Sequence, residues 1–184
     1  MTGEPGRAVR IEMPPSIGLA SITGGSVQIV NLRTNLPPAP RLDLTGRLAE
    51  RWELIATYAY TDTEILDDPT NQGNELVNAA QNIASLYLTH HLALPSDAGQ
   101  WRVGGGARYV GERAGDNANS FWLDSYTVAD AFISWESQLL GDKTRLQLNA
   151  RNLFNQEYYP SSGGNLRVAV GEPRELRLSA SVDF

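Results

Sequence analysis

From residue 41 onward, apolar and polar residues alternate with a period of two, the spacing of strands whose two faces meet different surroundings. In residues 41–48, Leu42, Leu44 and Leu48 share one face, and Arg41, Asp43, Thr45 and Arg47 the other. Residues 52–62 set Trp52, Leu54, Ala56, Tyr58 and Tyr60 against Glu53, Thr57 and Thr61, with Ile55 and Ala59 breaking the rule. The pattern recurs over 83–93 (Ala84, Leu86, Leu88 and Leu92 against Ser85, Tyr87, Thr89 and His91) and over 100–112 (Trp101, Val103, Ala107 and Tyr109 against Arg102, Arg108 and Glu112). It is looser over 125–136, where Ala129, Ala131, Ile133 and Trp135 oppose Tyr126, Asp130, Ser134 and Glu136. It is clean again over 143–154, with Leu146, Leu148 and Ala150 against Arg145, Gln147, Asn149 and Arg151. Residues 175–184 alternate without a fault: Leu176, Leu178, Ala180, Val182 and Phe184 against Glu175, Arg177, Ser179, Ser181 and Asp183. Several of these stretches approach the roughly 9–11 residues that a strand needs to cross a bilayer at a tilt. A further possible strand covers 26–33, between Gly24-Gly25 and the Pro-rich stretch Leu36 to Pro40.

The connections alternate as well. They run short (49–51), long (63–82), short (94–99), long (113–124), short (137–142) and long (155–172). Outer-membrane barrels have tight periplasmic turns and extended outward loops, whereas a soluble sandwich has little reason to gather its long loops at one end. The expected fold is therefore all-β: an antiparallel up-and-down transmembrane β-barrel segment of about seven or eight strands. Alternation alone leaves open which face meets water, because a soluble barrel buries the apolar face and a membrane barrel turns it to lipid. Two features favour the membrane: the crowd of Arg, Glu, Gln and Asn on the polar face, and the placing of Trp52, Trp101, Trp135, Tyr58, Tyr60 and Tyr109 near strand ends on the apolar face, as in an interfacial girdle.

Composition narrows the chemistry. The 184 residues carry a net charge of −6 and no cysteine. That excludes a disulfide framework, a thiolate metal site and a thiol nucleophile, and it argues against nucleic acid as a partner, since phosphate binding wants a basic face. Mean hydropathy is −0.30, and no apolar run approaches the roughly 18 residues of a membrane helix. His90 and His91 are adjacent, so on a strand they point to opposite faces and do not readily share a metal. Asp62, Glu64, Asp67 and Asp68 lack the ligand spacing and turn glycine of a calcium loop and read as solvated surface. Gly104-Gly105-Gly106 is followed by no helix or Lys-Ser/Thr pair and is no phosphate loop; glycines in mid-strand point instead to close packing or a bend. No nucleophile–base–acid set stands out, and the expectation is not an enzyme.

Four motifs resemble a known family. Asn152-Leu153-Phe154-Asn155-Gln156-Glu157-Tyr158-Tyr159 looks like its "NLFDKxYY" segment, and Gly171-Glu172-Pro173-Arg174 with the run to Phe184 looks like its "GEPR…F" ending. Tyr109-Val110-Gly111-Glu112-Arg113 resembles "YVGER" and Tyr58-Ala59-Tyr60-Thr61-Asp62 resembles "YxYTD". They stand in the family's order across roughly residues 40–184. The family is that of TonB-dependent, ferric-siderophore outer-membrane receptors. The resemblance implies a barrel of roughly 22 strands filled by an N-terminal plug. It also implies energy delivered by TonB through a short box ahead of the plug. On this basis residues 41–184 are expected to be the C-terminal part of such a barrel and residues 1–40 a poorly defined segment. The sequence shows no plug, TonB box or signal peptide, so a fragment of the receptor is expected, in the cell outer membrane if exported.

The resemblance further implies that no cofactor is bound directly, that the transported ligand is a ferric siderophore, and that the partners are outer-membrane lipid and the barrel-assembly machinery. TonB would act only through the missing plug and box. Leu176, Leu178, Ala180, Val182 and Phe184 resemble the C-terminal signal read by that machinery. Tyr158, Tyr159 and Arg167 are weak candidates for ligand contact in an outward loop; aromatics and an arginine suit an anionic ferric chelate, and ordinary loop packing is the preferred reading. Two alternatives stand beside the receptor: a self-contained small outer-membrane barrel with a structural or pore role, and a soluble ligand-binding β-barrel. Removing Phe184 from an exported form is expected to impair membrane assembly. The check is the heat-modifiable electrophoretic shift of the folded barrel, which should diminish; an unchanged shift would count against the signal.

Overall fold

The computed structural model describes residues 9–12, 27–29, 41–95, 98–139, 142–164 and 166–183. The strands are β1 (Val9–Glu12), β2 (Val27–Ile29), β3 (Arg41–Ala49), β4 (Trp52–Tyr60), β5 (Asp62–Ile65), β6 (Asn82–His91), β7 (Gln100–Val110), β8 (Arg113–Ala114), β9 (Trp122–Leu123), β10 (Tyr126–Leu139), β11 (Asp142–Arg151) and β12 (Glu175–Asp183). Eight form one antiparallel sheet in the order β12-β11-β10-β7-β6-β4-β3-β2, with β12 and β2 as open edges. Of the stretch 26–33, only Val27–Ile29 falls among the described residues, and it pairs with β3. Phe184 lies outside the described residues.

The alternating pattern becomes a continuous surface because the register keeps every apolar set in phase. Leu178 stands opposite Leu148, Leu148 opposite Ile133, Ile133 opposite Val103, Val103 opposite His90 and His90 opposite Trp52. A one-residue slip in any pairing would throw half of this surface to the other side. Among the described residues no second layer covers it: Leu178 is 73% exposed, Leu176 66% and Leu86 48%. Each such side chain left in water forgoes roughly 1.5–3 kcal/mol of burial. The buried hydrophobic residues are Ile65, Ala80, Ala114, Leu123 and Val128. None lies on the sheet's apolar face, and most belong to the long connections. The packed core thus sits at one end of the sheet, which is the arrangement expected when the apolar face is meant for lipid.

At the short-turn end Trp101 and Trp135 face each other in register, their ring centroids 6.4 Å apart. Both indole N–H groups donate to the Ala98 carbonyl at 2.9 Å. Gly99 makes this possible: its φ is +74°, and a Cβ there would lie 2.6 Å from the Trp135 Nε1. Trp101 and Tyr109 bracket β7, separated by about 26 Å along the strand at a rise of about 3.3 Å per residue, close to the apolar band of roughly 25 Å in outer-membrane barrels. His90 stacks on Trp52 with centroids 4.2 Å apart, while His91 lies on the other face 3.6 Å from the Glu53 carboxylate. The polar face is knit by charge pairs between neighbouring strands, such as Glu136 with Lys143 at 2.8 Å and Arg145 at 2.7 Å.

Three differences from the sequence pattern have local causes. The stretch 52–62 divides, since β5 leaves the large sheet and pairs with β1. The stretch 143–154 ends at Arg151 because Asn152 takes a left-handed φ of +45°. The long connections are not bare: β8 pairs with β9, and Ser162 bridges to Val168.

The three mid-strand glycines are also accounted for. Tyr87 and Phe132 flank β7 on the polar face, their rings 4° from parallel with centroids 6.2 Å apart. A Cβ at Gly106 would sit 2.3 Å from the Tyr87 ring and 2.4 Å from the Leu86 carbonyl oxygen; one at Gly104 would sit 2.3 Å from the Phe132 ring. Gly105 faces the other way and is less crowded, a Cβ there meeting the Asp130 carbonyl oxygen at 3.3 Å, a tight contact that a shift of a few tenths of an ångström relieves. Gly106→Ala is therefore expected to destabilise the folded barrel by roughly 1–3 kcal/mol through overpacking, and Gly105→Ala far less. Comparing the two variants' unfolding midpoints in detergent or lipid checks this; equal midpoints would contradict the packing account.

Candidate functional site at the long-loop end

The connections 61–81, 111–125 and 152–174 meet at the long-loop end, where four asparagines with positive φ join or shape them: Asn78 (+61°), Asn119 (+52°), Asn152 (+45°) and Asn155 (+53°). Asparagine tolerates this conformation, and its amide offers a donor and an acceptor side by side. Asn119 uses both on Glu75, accepting from its N–H at 2.9 Å and donating to its carbonyl at 2.9 Å. Asn78 does the same to Ser162, at 2.8 Å each way. Each amide thus reads a neighbouring loop's backbone much as an adjacent strand would. Asn74 Nδ2 adds a bond to the Asn117 carbonyl at 2.9 Å, and the Ser162 hydroxyl donates to the Gly115 carbonyl. Loops packed against one another need such partners, because a buried, unpaired peptide group is costly.

Arg113 lies at the centre, 1% exposed and the largest fully buried side chain among the described residues. Its guanidinium donates to the carbonyls of Gly111 at 3.2 Å, Asp124 at 3.5 Å and Tyr159. It also lies over the Tyr126 ring, 5.3 Å from the centroid. Burial pulls its pKa below the usual arginine value, with Tyr126 opposing the shift; a guanidinium nonetheless stays charged at physiological pH. Nearby, burial first and the Asp62 and Glu112 carboxylates second raise the Glu75 pKa above the ordinary 4.5. Asp116 moves the other way, held low by the Ser120 hydroxyl and by backbone N–H groups.

Two of the sequence motifs meet here as well. Asn152 is 2% exposed; its backbone N–H reaches the Asp130 carboxylate at 2.9 Å, and its Nδ2 donates to the carbonyls of Gln156 at 2.8 Å and Glu172 at 2.9 Å. The Asn155 side chain accepts from the Arg174 N–H at 3.0 Å. The "NLFN" segment and the "GEPR" segment therefore clamp the two ends of one loop together. Asn152→Ala would strand two carbonyls and force alanine into a left-handed conformation, an expected loss of roughly 2–5 kcal/mol. Asn152→Gly would relieve only the backbone strain. Unfolding of the two variants checks this, alanine being the worse; equal losses would assign the effect to the lost bonds alone.

The residues singled out for ligand contact are dispersed by the structure. Tyr158 packs inward, its ring 4.5 Å from that of Tyr126 and flat against Gly171, where a Cβ would lie 2.3 Å from it. Tyr159 is 39% exposed, and its hydroxyl donates to Glu157 at 3.1 Å, which raises the phenol's pKa. Arg167 is exposed on the Ser162–Val168 bridge, its carbonyl accepting from the Gly163 N–H at 2.8 Å. Leu176, Leu178, Ala180 and Val182 line the apolar face of β12 opposite Ala150, Leu148, Leu146 and Thr144. In the acidic stretch Asp62 and Glu64 belong to β5, and Asp68 caps a turn by accepting the N–H groups of Thr70 and Asn71 at 2.9 Å. Sequence reasoning missed Asn78, Asn119 and the role of Arg113. The last sat inside a recognised motif, but only three-dimensional contact shows which carbonyls it serves.

Comparison with known proteins places these features in a family. The family model for TonB dependent receptor-like β-barrels matches residues 31–153. An uncharacterized TonB-dependent receptor of Haemophilus influenzae is 35% identical over 77% of this chain and 44% of its own length. The ferrichrome outer membrane transporter/phage receptor of Escherichia coli K12 is 27% identical over 92% of this chain and 22% of its own. Among solved structures, the siderophore receptor PiuA of Acinetobacter baumannii superposes with a TM-score of 0.67 and 26% identity, covering 86% of this chain and 22% of that one. The chain thus spans less than half the length of the relatives it matches. With its open, in-register sheet and clamped long loops, the chain belongs to the family of TonB-dependent receptor β-barrels.

Proposed function

We propose that this chain forms the C-terminal wall and part of the outward face of an outer-membrane receptor that imports a ferric siderophore. The carrying observation is the uncovered apolar face of the large sheet, with buried packing gathered instead in the loops at one end. A wall of this kind needs lipid on one side and presents a prepared surface to the outside. Similarity to the ferrichrome transporter of Escherichia coli and the siderophore receptor PiuA supports the cargo. On this reading the short turns are periplasmic, and the alternation of Leu176 to Val182 continues to Phe184 as the signal for barrel assembly. Energy coupling to TonB belongs to parts of the receptor other than these residues. Residues 41–184 form the barrel portion, to which β2 (Val27–Ile29) of the preceding segment adds a strand.

Within the third long loop, Tyr159 and Arg167 are among the exposed side chains, and Tyr158 packs on Tyr126 beside Tyr159. Their aromatic and cationic character suits the rim of a ferric chelate. The test is binding of ferric siderophores by the receptor expressed at full length in an outer membrane, together with growth on the chelate as sole iron source. Tyr159→Ala and Arg167→Ala are each expected to weaken binding by about five- to tenfold without reducing the amount of folded receptor. Recovery of the protein as a soluble species without detergent, or failure to bind any ferric chelate, would overturn the reading.

A further inference from the structure

We propose that Arg113 is the positioning residue for the ligand-facing segment Glu157–Tyr159. It would set the segment's attitude from below without itself touching the ligand. The proposal rests on the reading of the chain as part of a siderophore receptor and adds to it a residue that fixes how the binding surface is held.

The argument begins with the choice of side chain. The other side-chain ties among the long loops are neutral: the Asn78 and Asn119 amides each donate to and accept from the backbone of a single residue in a neighbouring loop, Ser162 and Glu75, and the Ser162 hydroxyl donates to Gly115. Arg113 serves three carbonyls, of which Gly111 and Asp124 stand at the two ends of its own loop and Tyr159 lies in another. A buried cation is costly to desolvate, and among the described residues no carboxylate pairs with it. What the guanidinium offers in return is a rigid, planar fork of five donors that can hold several acceptors at fixed angles, which a lysine ammonium on a flexible stem cannot.

The second part is geometric. Arg113 reaches two successive residues by two routes. It takes the Tyr159 carbonyl directly, and it lies over Tyr126, whose ring in turn rests 4.5 Å from that of Tyr158. A peptide pinned on both sides has little freedom to rotate. The Tyr159 ring, joined through its hydroxyl to Glu157 at 3.1 Å, is therefore presented outward in one attitude. Holding a binding surface in its bound form beforehand raises affinity by removing the cost of ordering it later.

This chain contains no cysteine, so any cysteine of the full-length receptor lies outside it and is replaced by serine before thiols are introduced here. Spin labels at Ala118→Cys and Leu166→Cys, both on exposed residues of the second and third long loops, are placed in the full-length receptor in a bilayer. The unsubstituted receptor should show one narrow label-to-label distance distribution. Arg113→Gln should broaden it and weaken ferric-siderophore binding by about tenfold or more, with heat-modifiable receptor recovered in normal amount; Arg113→Lys should restore it only in part. Adding Tyr159→Ala to Arg113→Gln should cost little beyond the single change, because the ring that Tyr159→Ala removes is already misplaced once Arg113 no longer holds its backbone carbonyl, whereas a merely structural brace would give additive losses. If Arg113→Gln does not reach the folded form, Tyr126→Leu breaks the ring route alone and should broaden the distribution. Additive losses, an unchanged distribution in a folded variant, or a broad distribution in the unsubstituted receptor each overturn the proposal. If the unsubstituted receptor binds no ferric siderophore, the receptor reading falls, while the distance distributions still decide whether Arg113 holds the loops.

Discussion

The rest of the structure depends on one constraint: an apolar face that no layer of the described residues covers. Leu176, Leu178, Leu146, Leu148, Ile133 and Leu86 all remain open on it. In hydrocarbon there is no water to accept or donate hydrogen bonds, so a spanning sheet must satisfy its backbone through its own strands. The meander does this for its interior strands, and the open edges at β12 and β2 are where further pairing is required. Register follows from the same demand, because a polar side chain turned to lipid costs more than a mispaired one in water.

The demand reverses at the long-loop end. There the chain leaves the sheet and must bury peptide groups without a regular ladder. Asparagine amides replace the ladder one bond pair at a time, and their tolerance of positive φ lets the loops turn sharply where the bonds are needed. Arg113 extends the scheme to three acceptors at once. The result is a packed unit with its own small core of Ile65, Ala80, Ala114 and Leu123, carried on a sheet that has none on its apolar side.

The two ends also treat aromatics differently. At the short turns Trp101 and Trp135 cap one carbonyl with their indole N–H groups and leave their rings on the apolar face. At the long loops Tyr126 and Tyr158 pack against each other with their rings tilted by 36°, and Arg113 lies over the first. The first arrangement suits an interface between lipid and water, the second a contact within protein.

Period-two alternation determined the strands, their faces and the alternation of short and long connections, because side-chain direction along a strand is a local property. The placing of His90 and His91 on opposite faces followed for the same reason. Other features needed partners distant in sequence. Whether Gly104, Gly105 and Gly106 weakened β7 or fitted it depended on Tyr87 and Phe132, which reach it from the neighbouring strands. Asn152 marked a recognisable motif, yet its work on Glu172 appears only when the loop closes. Tyr158 and Tyr159 are adjacent and chemically alike, and tertiary packing alone turned one inward and left the other open. The tertiary structure therefore decided the site: the sequence spells donors and acceptors, but burial and distance select which of them meet.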